Sequence, residues 1–236
     1  MQELITVENL SFSYPDGQRA LTDVNLMICR GDSVAIVGPN GAGKSTLVLH
    51  FNGILRGNGH VKLLGKTVDD NNLRWVRSRV GLVFQNPDDQ LFSPTVFDDV
   101  AFGPMNMGYS KAEVEQAVKL SLELVGMAGF EKRSPHHLSV GEKKRIAMAT
   151  VLSMSPEVLV IDEPTSNLDP RGKWDIIEVL KGFSITKIIV SHDLEMVREL
   201  CQRMVIIDRG RVAADAKTID VLADKKLLAA HGLAAV

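Results

Sequence analysis

Cysteine is scarce: Cys29 and Cys201 stand alone in 236 residues. That excludes a disulfide framework and a cysteine-ligated metal centre, and suits a reducing, cytosolic setting. Both are expected to be buried packing residues. Long apolar runs are missing too. The longest uncharged stretches, such as 146–156, are about 11 residues, well short of the roughly 20 that cross a bilayer as a helix. No basic, apolar leader opens the chain, so any membrane role is expected to come through a partner. Net charge is only −2, which excludes a generic polyanion binder, and no nucleic-acid partner is expected. Internal repeats and low-complexity linkers are absent.

What is present reads as an ordinary globular chain, 45% hydrophobic and 24% charged. Strand-like runs recur at Leu4–Leu10, Val24–Cys29, Ser33–Val37, Val80–Phe84, Val158–Ile161, Lys187–Val190 and Met204–Ile207. Several are short and nearly non-alternating, as in strands buried on both faces of a parallel sheet. Helical segments alternate with them, which predicts an α/β fold. Between Asn86 and Pro156 the strand signal vanishes. There Val114, Ala117, Val118, Leu122 and Val125 share one helix face, and Ser110 with Glu113 forms a capping box at its start. The chain is therefore expected to be a single domain over 1–236, with a core of 1–85 and 158–236 interrupted by a helical insertion at about 86–157. The tail from about Thr218 reads as a short helical ending.

The strongest chemical signal is GPNGAGKST, Gly38 to Thr46. It fits G-x-x-x-x-G-K-[ST] between an apolar strand and a helical run, the context that motif requires. Gly38, Pro39, Asn40, Gly41, Ala42 and Gly43 form a loop whose backbone N–H groups can converge on phosphate oxygens. The following helix aims its N-terminal dipole at the anion. Lys44 can reach the β- and γ-phosphates, and the Ser45 hydroxyl can ligate Mg²⁺.

Three further candidates end apolar strands. In VLVIDEPTSNLD, Asp162 emerges where a carboxylate can hold Mg²⁺, and Glu163 can polarise an attacking water. The competing reading, an acidic strand-to-loop turn, is the weaker one even for the stretch alone, and weaker still beside the glycine loop. His192, in IIVSHDLE, lies where ligands of open α/β sheets gather and can bond a γ-phosphate or orient water. Gln85, in VGLVFQNP, carries an amide able to ligate Mg²⁺ or water. The stretch LSVGEKKRIAMA, starting at Leu138, has two readings. Ser139 and Glu142 make a plain capping box, or Ser-Val-Gly-Glu is an altered phosphate clamp serving another molecule's nucleotide.

Together these pieces resemble the ATP-binding cassette family of transport ATPases. The order is that family's: an aromatic (Tyr14) in FSYPDG, then GPNGAGKST, Gln85, LSVGE, VIDEP, SNLD (Ser166 to Asp169) and His192. The resemblance covers nearly the whole chain. It implies a P-loop NTPase core with a mainly parallel sheet, an N-terminal antiparallel β subdomain and a helical insertion. It also implies a pair of cassettes packed head to tail, in the same chain type or a related one. Each ATP would then lie between the P-loop of one and Ser139, Gly141 and Glu142 of the other. Tyr14 would stack on adenine, Asp169 would lie at the pair's interface, Glu163 would be the general base and His192 the γ-phosphate sensor. Ser45, Gln85 and Asp162 would form the magnesium shell. Val140 and Glu142 depart from the usual Leu-Ser-Gly-Gly-Gln, while Ser139 and Gly141 keep their donors.

FQNPDDQLF followed by TVFDDVAFGP is similar to the ATPases of energy-coupling-factor importers, which take up vitamins and transition-metal ions. The compact cassette and the tail AAHGL are similar to the cobalt and nickel branch. That resemblance implies a transmembrane coupling subunit and a substrate-binding membrane component. Arginine-bearing coupling helices would seat near Gln85, with Asp88 and Asp89 supplying opposite charge. It places the chain at the cytoplasmic face of the cell membrane as a peripheral protein. His136 and His137 read as loop packing. Non-transport relatives carry a long coiled coil before the signature or two cassettes per chain, and neither feature is present. A module that binds ATP without turnover would not need Glu163 and His192.

Overall fold

The computed structural model describes residues 2–233. The first half runs β1 (Glu3–Ser13), β2 (Arg19–Cys29), β3 (Ser33–Val37), α1 (Lys44–Phe51), β4 (Asn58–Leu63), β5 (Lys66–Thr67), α2 (Leu73–Arg77) and β6 (Val80–Val83). Three helices follow with no strand between them: α3 (Val96–Met107), α4 (Lys111–Leu124) and α5 (Val140–Leu152). The chain then returns through β7 (Val158–Asp162), α6 (Pro170–Lys181), β8 (Thr186–Val190), α7 (Leu194–Leu200), β9 (Arg203–Asp208) and β10 (Arg211–Lys217). It ends in α8 (Thr218–Ala223) and α9 (Lys225–Ala230).

Two sheets result. One is antiparallel, in the order β2-β1-β4-β5; the other has the order β10-β9-β3-β8-β7-β6. In the second, β9, β3, β8, β7 and β6 are parallel and β10 closes one edge antiparallel. The parallel strands are almost wholly apolar because each feeds two cores. Ala35, Val37, Leu159, Ile161, Ile189 and Ile206 face one side, packed with α4, α5 and α6 residues such as Val118, Ile146 and Leu180. Val34, Ile36, Val158, Val160, Val190 and Ile207 face the other, packed with Leu47 and Phe51 of α1 and Leu4, Leu21 and Ile28 of the antiparallel sheet. Residues one apart thus serve opposite layers, as period-two geometry requires.

The expected α4 begins at Ser110 with its capping box formed, and Val114, Val118, Leu122 and Val125 are buried. The helical tail is present as α8 and α9. Strands β4, β5 and β10 were not among the expected runs. NGHVKL and RVAADAK are polar and largely exposed, so burial left no apolar signature in them. Cys201 is buried as expected, whereas Cys29 is only half-buried at the end of β2.

Candidate functional site

Strands β3, β8, β7 and β6 lie side by side, and each ends in a candidate residue. The loop after β3 is Gly38 to Gly43. Beyond β8 come Ser191 and His192, at the end of β7 Asp162 and Glu163, and beyond β6 Gln85. All emerge at the carboxyl ends of parallel strands, where open α/β sheets form ligand crevices. Gln85, Asp162, Glu163 and His192 line one depression of about 400 Å³ with Asn40, Gly41, Ala42, Gly43, Lys44, Ser45, Thr46 and Tyr14, while Gly38 and Pro39 face a neighbouring hollow beside His192. Gln18 and Ala20 complete the wall of the depression. Neither carried a sequence signal: Gln18 follows the turn after Tyr14, and Ala20 lies at the start of β2.

The loop's shape follows from two glycines. At Gly38 a Cβ would run into the carbonyl oxygen of Ile207 in β9, and at Gly43 it would lie 2.5 Å from that of Ala20. Gly43 is also the N-cap of α1, left-handed at φ 102, with no side chain capping the helix. The first-turn N–H groups of α1 therefore face the depression without a side-chain acceptor, and an anion is their natural partner. Lys44 is 7% exposed. Its ammonium donates to the carbonyls of Gly38 (2.9 Å) and Pro39 (3.0 Å). Burial pushes its pKa down, against the opposing pull of Glu163 and Asp162. Tyr14 reaches the same helix: its hydroxyl lies 2.9 Å from Thr46 Oγ1, and its ring meets Phe12 edge-on.

Asp162 has an inner oxygen, Oδ1, that is buried with no hydrogen-bond partner. Burial raises its pKa; the Ser45 hydroxyl against it and the ammonium groups of Lys44 and Lys144 act the other way. An orphaned carboxylate oxygen beside a serine hydroxyl suits a hard divalent cation. Mg²⁺ takes few protein ligands and completes its shell with phosphate and water. No group of three or more His, Cys, Asp or Glu poised for a metal occurs among the described residues.

Glu163 is 7% exposed and its backbone is left-handed, φ 46. Its N–H donates to Val190 O at 2.9 Å. One carboxylate oxygen accepts from His192 Nδ1 at 2.8 Å, the other from Ser191 Oγ at 3.2 Å. The proposed base and sensor thus already touch, with the His192 ring mostly in solvent.

Ser139, Gly141, Glu142 and Asp169 do not enter this depression. Ser139 is the N-cap of α5. Its N–H and hydroxyl both reach Glu142 Oε2 at 2.8 Å, and its Oγ accepts from the Glu142 N–H at 3.4 Å. These bonds hold the Glu142 carboxyl below its ordinary pKa, the Ser139 N–H contributing most. Ser110 and Glu113 make the same box, with bonds of 2.7 and 3.4 Å. Asp169 caps α6, accepting from Gly172 N–H at 2.7 Å, with Pro170 at the first helical position.

A larger cleft of about 850 Å³ opens between α2, the segment after β6, and α3 with α5. Gln90 spans its floor, accepting from Phe84 N–H and donating to Ala147 O and Thr150 Oγ1. Phe92 and Phe102 stand exposed at its rim, edge to face. Asp89 lines it, whereas Asp88 is drawn away into an ion pair with Lys143 at 2.7 Å. Asp99, missed in the sequence, is buried there with Oδ1 accepting from Phe92 and Ser93 N–H and Oδ2 unpartnered. No helix among the described residues is long and apolar enough to cross a membrane.

With this geometry in hand, the comparisons with known proteins are specific. Residues 21–166 match the ABC transporter family. The energy-coupling factor transporter ATP-binding protein EcfA of Methanothermobacter thermautotrophicus is 50% identical, over 95% of this chain and 74% of its own. Among solved structures, cbiO1 of Clostridium perfringens, part of the ABC transporter complex cbiONQ, superposes with a TM-score of 0.86. It is 39% identical, covering 99% of this chain and 96% of its own. The cassette MJ0796, solved as a dimer in a post-hydrolysis state with ADP and Pi, superposes at 0.81. It is 27% identical, over 91% and 99% of the two chains.

Proposed function

The chain belongs to the ABC transporter family and is an ATPase, and from that premise we propose that it powers an energy-coupling-factor importer for cobalt or nickel ions or a vitamin. The observation that carries this reading is the convergence of Lys44, Asp162, Glu163, His192 and Gln85 on one depression at the strand ends. The extended identity to EcfA and the likeness to cbiO1 support the importer type.

In this reading ATP lays its phosphates on the α1 N-terminus, and Lys44 leaves the Gly38 and Pro39 carbonyls for the β- and γ-oxygens. Tyr14 stacks on the adenine. Ser45, Gln85 and Asp162 hold Mg²⁺, which when bound neutralises charge on the transferring phosphoryl group. Glu163 takes the proton of the attacking water, and His192 bonds the γ-phosphate. Ser139, Gly141, Glu142 and Asp169, which lie outside the chain's own depression, complete the site of a second cassette. The arm of 86–157 and its cleft receive the coupling helices of a transmembrane subunit, with Asp89 offering negative charge. The protein then works at the cytoplasmic face of the membrane. Affinity purification of the tagged chain from solubilised membranes tests the importer type. A coupling subunit together with a small substrate-binding membrane protein is the expected catch. An exporter-type membrane domain, or no membrane protein, defeats the reading.

The two capping boxes supply an internal control for the signature role. Ser110→Ala and Ser139→Ala each remove one N-cap and are expected to lower stability by about 1 kcal/mol. Only Ser139→Ala is expected to lower the ATPase rate of the assembled complex, by about tenfold or more. Equal rates in the two variants at equal thermal shift would reduce Ser139 to a cap.

A further inference from the structure

Lys144 opens the second turn of α5, two residues past Glu142, within the run Lys143-Lys144-Arg145. A lysine in such a run ordinarily lies in solvent. This one is 4% exposed. Its ammonium donates to three acceptors on two segments: Gln85 O at 3.1 Å, Glu163 O at 2.9 Å and Ser166 Oγ at 3.1 Å. Ser166 Oγ donates in turn to the same Glu163 carbonyl at 2.9 Å. Among the described residues no carboxylate bonds Lys144 directly. Burial among neutral acceptors pushes its pKa down to about 8, against the attraction of Glu163 and Asp162.

Stability alone is a poor reason for a buried ammonium here. A methionine of similar reach fills the space without desolvating a charge. What the ammonium adds is control of Glu163. That residue holds a left-handed backbone, φ 46, a conformation that costs free energy in a residue with a Cβ. Its N–H is fixed by Val190 O; its carbonyl is fixed by Lys144 and Ser166. The two anchors together fix the peptide planes on either side and therefore the direction in which the side chain leaves the backbone, and His192 and Ser191 hold its carboxylate end. The same ammonium fixes the backbone of Gln85.

We propose that Lys144 is a positioning residue for hydrolysis, holding Gln85 and Glu163 in their reacting geometry and making that geometry follow the seat of the signature helix. The inference rests on the reading of Glu163 as the base. Lys144 lies within one helical turn of Gly141 and Glu142, which face a partner's nucleotide in that reading. A shift of the α5 N-terminus is carried through one side chain to the chain's own Glu163. Each cassette's hydrolysis is thereby tied to how well it grips its neighbour's ATP.

The test uses the complete transporter, with Lys144→Met, Lys144→Gln and, in parallel, Glu163→Gln. The Met variant is expected to lower kcat by at least about tenfold with KM for ATP within about threefold, the mark of lost alignment rather than lost binding. The Gln variant, which keeps two donors, is expected between Met and wild type. ATP-driven pairing of chains carrying Glu163→Gln is expected to survive the added Lys144→Met. A kcat within threefold of wild type for Lys144→Met overturns the proposal. So does a fall in kcat matched by loss of pairing and of thermal stability, which marks a merely structural role. If the Met variant does not assemble, the Gln variant decides: kcat at least threefold low at steady KM upholds the proposal, and anything less overturns it. Persistent turnover in Glu163→Gln defeats the base assignment instead, so the two failures are distinct.

Discussion

Glu163→Gln is expected to lower the ATPase rate of the assembled complex by about a thousandfold while leaving ATP binding intact. The structure gives the substitution an unusually clean form. An amide has the shape of the carboxylate: its oxygen can still accept from His192, and its NH2 can donate to the Ser191 hydroxyl, in place of the present bonds of 2.8 and 3.2 Å. The backbone anchors of residue 163 are main-chain groups and do not change. Lys44, Ser45 and Asp162 are untouched, so the groups expected to hold the phosphates and the cation stay in place. What disappears is basicity at one atom. In the proposed cycle hydrolysis reopens the ATP-bound pair, so the variant is expected to accumulate as a dimer in ATP on size exclusion. Turnover within tenfold of wild type would mean that another group takes the proton.

Gly38→Ala is expected to weaken ATP binding by at least about a hundredfold, equivalent to about 2.7 kcal/mol. The collision is with backbone. The new Cβ meets the Ile207 carbonyl oxygen and approaches the Ala42 Cβ. Ile207 belongs to β9, which is paired with β3 on one side and β10 on the other, so that carbonyl has little freedom to retreat. The loop must move instead, and it takes with it the Gly38 carbonyl that now receives Lys44. The displaced N–H groups no longer converge on one point. A stability loss of about 1–3 kcal/mol accompanies the strain. Nucleotide titration and thermal melting read the two effects separately; affinity within tenfold of wild type would show that the loop accommodates a methyl group.

The legible parts of this molecule were those where one physical demand dominates. Strands β3, β7, β8 and β9 are buried on both faces, so their composition announces them. Within Gly38 to Thr46, Gly38 and Gly43 are legible because crowding against Ile207 and Ala20 leaves no room for a side chain. Both capping boxes were visible as Ser-x-x-Glu. Strands β4 and β10 were hidden because their partners, not their side chains, hold them in place. Lys144 was hidden for a related reason. In the sequence it is one of three successive basic residues, and helical periodicity does not announce that its ammonium lies over the Glu163 carbonyl. Its three acceptors are two carbonyls and a hydroxyl, and backbone acceptors leave no trace in the sequence. The division of labour between Asp88 and Asp89 was equally invisible, since it depends on Lys143 reaching across from α5.

The left-handed backbone at Glu163 sets selection for durability against selection for work. Glycine at this position would relax the chain, and asparagine would tolerate the conformation better than glutamate does. A screen that rewards only thermal resistance would therefore drift toward those residues and return proteins that melt later and hydrolyse nothing. Among stabilised variants of this chain, a replacement at position 163 is the signature of a screen that never asked for turnover.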